Sequence, residues 1–64
     1  MGKRIETTKG LLKLLERFRA KPSTEEARYW ISTILGCIRE GLAMDEVDYE
    51  NTSSEYRPLW NGLK

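Results

Sequence analysis

Sixty-four residues, 39% apolar and 33% charged, suit one small domain; they are too apolar for a disordered chain and too polar for a membrane-spanning one. Histidine is absent, which removes Ser-His-Asp, Cys-His and His-metal arrangements, and a lone Cys37 cannot close an internal disulfide. The formal charge of +1 conceals a split: residues 1–22 carry seven bases against two acids (+5), and residues 23–64 carry four bases against eight acids (−4). Such asymmetry bears on partners and self-association rather than on fold.

The chain begins Met1-Gly2-Lys3-Arg4 with no apolar stretch behind it, and no apolar run nears the roughly 20 residues of a bilayer span. Neither a signal peptide nor a membrane partner is expected, and a cytoplasmic setting follows. Glu6 stands where N-myristoylation wants Ser or Thr. A first helix is expected over about 7–20, capped by Thr7 or Thr8. Leu11, Leu14, Leu15 and Phe18 fall at i, i+3, i+4 and i+7, the spacing of one helical face, and Leu12 widens it. On the opposite side Lys9, Lys13 and Arg17 repeat every four residues, with Lys21 extending the line and Lys3 and Arg4 nearby.

Lys21-Pro22 ends this helix, because the residue before proline is pushed out of the α region. Ser23-Thr24-Glu25-Glu26 reads as a capping box, in which the Ser23 hydroxyl accepts from the Glu26 amide and the Glu26 carboxylate reaches back. A second helix follows over about 24–40, and Gly41 suits the left-handed residue that ends it, with Leu42 placed to fold back on the last turn. Its apolar residues fill an arc of roughly 160°, with Cys37 and Trp30 at one margin and Leu35 and Leu42 at the other. The short link favours an antiparallel hairpin. One neighbouring helix covers only part of so wide a face, and a core this small rarely supplies more than about 3–5 kcal/mol. The remainder is expected to be covered by a second copy, through Trp30, Ile34, Cys37 and Ile38, or by the chain's own tail.

Residues 43–64 change character. Asp45 to Glu55 holds five acids and no base, with a short helical turn possible if Asp45 caps it, followed by the polar loop Asn51-Thr52-Ser53-Ser54. Tyr56, Leu59, Trp60 and Leu63 are then too apolar for an idle tail. Tyr49, Tyr56, Arg57 and Trp60 are residue types that anchor partner proteins, while Trp60 equally suits packing back over Trp30.

Chemistry is scarce. Cys37 reads as a core thiol, since burial raises a thiol pKa and blunts reactivity. The acids from Asp45 onward do not make a Ca²⁺ loop: Glu50 occupies the sixth place, where Gly belongs, and Tyr56 the twelfth, where Glu belongs. No glycine-rich phosphate loop exists. The sequon Asn51-Thr52-Ser53 and the caspase-like string Asp45-Glu46-Val47-Asp48 are read as chance matches. No cofactor or metal is expected. The fold expected is all-α: a two-helix antiparallel hairpin with an irregular or short-helical C-terminal extension, one domain over residues 1–64, assembled as a homodimer or higher oligomer. The expected role is non-enzymatic, a small regulator, adaptor or inhibitor binding a larger protein. The runner-up is a nucleic-acid-binding regulator using Lys9, Lys13, Arg17 and Lys21, although nothing beside them suits base readout. A nucleic-acid mimic built on the acidic run, or an oligomer that sequesters a small ligand, are further alternatives.

Overall fold

The computed structural model describes residues 4–21 and 23–63. Gly2, Lys3 and Pro22, the last expected to break the first helix, lie outside them. Three helices, α1 (Thr8–Arg19), α2 (Glu25–Glu40) and α3 (Glu46–Asn51), precede a 3-10 turn at Arg57–Trp60. The protein is therefore mostly helical, and α1 packs chiefly against α2. No helix among the described residues is long and apolar enough to cross a membrane.

Each helix end has a local cause. Thr7 caps α1, its Oγ1 accepting from the Gly10 amide at 3.0 Å, and Leu11, Leu14, Leu15 and Phe18 are buried as their spacing requires. Thr24, and not Ser23, caps α2: its Oγ1 accepts from the Ala27 amide at 3.0 Å. The box expected between Ser23 and Glu26 does not form, because both side chains are engaged elsewhere. Ser23 Oγ accepts from Arg28 Nε at 3.0 Å, and Glu26 Oε2 accepts from the Ser53 amide at 2.8 Å and from Trp30 Nε1 at 3.2 Å. Gly41 at φ +71° ends α2, and the Gly41 and Leu42 amides close on the Ile38 and Cys37 carbonyls. Leu42 folds back through its backbone, while the residue remains 54% exposed. Asp45 caps α3, accepting from the Val47 amide at 3.1 Å while Asp48 Oδ2 accepts from the Asp45 amide at 3.0 Å. The short helical turn that Asp45 is placed to cap thus forms.

The tail completes the core. Tyr56 and Trp60 are each 2% exposed, and Tyr56 stacks on Phe18 with centroids 5.4 Å apart. The Tyr56 hydroxyl shares a 2.7 Å hydrogen bond with Thr24 Oγ1, and Trp60 meets Tyr49 edge-on at 5.6 Å. Two guanidinium groups fasten backbone carbonyls here. Arg17 Nη1 donates to the carbonyls of Leu59 (2.8 Å) and Asn61 (2.7 Å). Arg57 donates from Nε to Thr52 and from Nη2 to Glu50, both at 2.9 Å, at the carbonyl end of α3. At the other end of the chain Ile5 and Met44 exchange backbone hydrogen bonds of 2.8 and 3.0 Å, and both are buried. One apolar cluster therefore draws on the N-terminal segment, α1, α2, the α2–α3 link and the tail.

This arrangement alters the reason for expecting a second copy. Trp30 and Ile34, 3% and 0% exposed, are enclosed within a single chain, in the cluster that the tail and the N-terminal segment also join. They are not at the surface for an oligomer interface, while Cys37 and Ile38 are half-buried against the core.

Truncation of Trp60→Ala is expected to cost about 3–5 kcal/mol, comparable to the stability of so small a domain, and to abolish the cooperative urea transition followed by circular dichroism. Trp60→Phe should cost far less, because Trp60 Nε1 is buried with no hydrogen-bond partner and its removal sheds an unsatisfied donor. A second expectation concerns Glu26. Burial opposes its ionisation, but the hydrogen bonds from Ser53 and Trp30 outweigh burial and hold the carboxyl below its ordinary value of 4.5. The folded chain then binds fewer protons than the unfolded one, so this contribution is present above the ordinary value and is lost as pH falls through the lower folded value. Urea midpoints measured from about pH 6 down to about pH 3 should fall less steeply in Glu26→Gln than in wild type.

Candidate protein-interaction surface

The side chains singled out as partner anchors divide by burial. Tyr56 and Trp60 are core residues, and an enclosed ring cannot meet a partner while the tail is docked. Arg57 and Tyr49 are half-buried and face each other, the guanidinium carbon 5.5 Å from the ring centroid. The four residues therefore hold the tail together, and none of them offers an exposed anchor.

The basic stripe is divided in the same way. Lys9 and Lys13 are exposed, and with Thr7, Gly10, Gly62 and Leu63 they line a cleft of about 240 Å³. Arg17 is committed to the Leu59 and Asn61 carbonyls, and Lys21 Nζ lies 5.9 Å above the Tyr56 ring. An unbroken line of cations for a phosphate backbone is not what the fold presents. Cys37 is half-buried. Burial, then the nearby Asp48 and Glu40 carboxylates, push its thiol above the ordinary range, so it stays protonated at neutral pH. The acidic run is likewise partly committed, with Asp45 and Asp48 capping α3.

The surface left over is apolar and lies on the other margin of α2. Ile31, Leu35 and Ile38 fall at i, i+4 and i+7, within about 60° of arc at 100° per residue. Ile31 and Ile38 are half-buried against the core, Leu35 is 44% exposed, and Leu42 stands exposed just past the helix end. The partner helix adds to this side. Arg19 of α1 and Ile31 of α2 line one cleft of about 200 Å³, floored by Phe18 and Ala27 and edged by Lys21 and Arg28. Leu12, 46% exposed, precedes Arg19 by seven residues and so shares its face of α1. By helical phase, Leu12 of α1 and Ile31, Leu35 and Ile38 of α2 thus lie on the side of the two helices that bears the cleft, an apolar stripe with Ile31 at its mouth.

Sequence periodicity placed all four residues on apolar arcs but gave no means of separating them from Trp30 and Ile34. The separating factor is enclosure by the rest of the fold, which buries Trp30 and Ile34 and leaves Leu12 and Leu35 exposed. No family model, curated protein or solved structure matches this chain.

Arg17→Ala is expected to lower unfolding free energy by about 1–2 kcal/mol, since two carbonyls lose a charged donor. Lys9→Ala and Lys13→Ala, at exposed positions, should stay within about 0.5 kcal/mol of wild type in the same urea titration.

Proposed function

We propose that this chain is a non-enzymatic protein-interaction module, a small regulator, adaptor or inhibitor that occupies a surface of a larger protein. The observation that carries this reading is the stripe of Leu12, Ile31, Leu35 and Ile38, in which Leu12 and Leu35 are 46% and 44% exposed and Ile31 and Ile38 are half-buried. Contiguous exposed apolar surface rimmed by charge is the usual signature of a protein contact. Self-association through the same stripe is the second reading, because a twofold pairing of α2 would cover Leu35 and Ile38. The nucleic-acid reading is weaker, with Arg17 and Lys21 turned to the tail.

The test is a stripe variant that leaves the fold intact. Leu35→Lys alters an exposed position and should change stability by less than about 0.5 kcal/mol. Crosslinking in native cell extract is expected to yield a discrete product with wild type that Leu35→Lys lowers by about tenfold and Lys9→Ala does not. An undiminished product with Leu35→Lys overturns the assignment of the stripe. A product equal to twice the chain mass, matched by dimer in sedimentation, favours self-association.

A further inference from the structure

Resting on the interaction reading above, the geometry points to a specific class of occupant for the stripe: an amphipathic helix of another protein whose apolar ridge is flanked by carboxylates. The length of the stripe is the first reason. Ile31 to Ile38 spans about 10 Å at 1.5 Å per residue, the reach of two turns of a docked helix with anchors at i, i+4 and i+7. The closed floor of the cleft is the second. Phe18 and Ala27 are buried, and their meeting with Ile31 leaves about 200 Å³, room for an apolar side chain from the partner.

Charge decides the flank. Relative to the line of Ile31, Leu35 and Ile38, Arg28 and Arg39 stand about 60–80° away, both exposed, and Arg19 lines the cleft with Arg28 from α1. No acid occurs between Glu26 and Glu40, and the three acids of α2 (Glu25, Glu26 and Glu40) lie more than about 100° from the line. Glu16 of α1, one turn from Leu12, is the acid nearest the stripe by helical phase. Lys21 also edges the cleft, with its amine above Tyr56. This basic rim disfavours a second copy. A twofold pairing of α2 would set Arg28 and Arg39 of one chain beside the same residues of the other, whereas a carboxylate-flanked helix meets each with the opposite sign.

The test uses the full chain and a displayed library of helical peptides about 16 residues long, apolar at i, i+4 and i+7, with Glu, Lys or Gln at the flanking positions. Selection on wild type should enrich Glu over Lys at the flanks by about tenfold. Arg28→Glu with Arg39→Glu, its helicity checked by circular dichroism, should reverse the preference, and Leu35→Lys should enrich nothing. Equal enrichment of Glu and Lys overturns the charge complementarity, yet leaves the interaction reading standing if Leu35→Lys still abolishes selection. No enrichment from any flank rejects a helical occupant, as does sedimentation showing a wild-type dimer that Leu35→Lys dissolves. Failure of Leu35→Lys to change either the library selection or the crosslinking in extract overturns both readings together.

Discussion

Two helices alone leave this chain with too much apolar surface, and the docking of its last residues resolves that surplus. The apolar arc of α2 is wider than α1 can cover, and the tail joins the same core, Tyr56 against Phe18 and Thr24 and Trp60 against Tyr49, in one cluster with Trp30 and Ile34. The rings contribute most of the free energy of closure, several kcal/mol each, while each hydrogen bond nets about 1 kcal/mol. What the hydrogen bonds supply is position. Arg17 holds the carbonyls at Leu59 and Asn61, Glu26 holds the amide of Ser53, and Thr24 holds the Tyr56 hydroxyl. Three separate points along the tail are thus tied to the turn region between α1 and α2.

These ties also explain which features were legible in the sequence. Leu11, Leu14, Leu15 and Phe18 announce α1 because burial follows from spacing alone, and Gly41 and Asp45 announce their helix ends because backbone geometry there is local. Ser23 and Thr24 are both good caps, and no local rule separates them. The choice is made by Tyr56, 32 residues away, which bonds Thr24, and by Ser53, which draws Glu26 out of a capping box. Ile5 and Met44 were invisible for a different reason: a single bridge between isolated apolar residues leaves no period to detect. Arg17 shares its four-residue spacing with Lys9 and Lys13, yet only the position of the tail carbonyls makes it a clamp.

The same long-range dependence governs the candidate surface. Apolar character on α2 is evident along the whole arc, but exposure is set by how the rest of the chain packs on it. Trp30, against Phe18 of α1, is buried, and Leu35 stays exposed. A reading of α2 in isolation therefore selects the residues with the largest rings, and the large rings are those that the chain keeps for itself.

The charge split takes on a narrower meaning in this light. On the basic side Arg17 is spent on carbonyls and Lys21 on an aromatic face, and Arg57 performs a similar task for α3. On the acidic side Asp45 and Asp48 close a cap and Glu26 receives two donors. Groups committed in this way add little to a long-range field at physiological ionic strength, because their partners and solvent screen them. The arginines beside the uncovered stripe are differently placed, being exposed and next to surface that a partner would dehydrate. Coulombic attraction strengthens as water leaves such a rim, whereas an apolar ridge is indifferent to sign. In the proposed complex Leu35 and its neighbours would set how strongly a helix is held, and Arg19, Arg28 and Arg39 which helix it is.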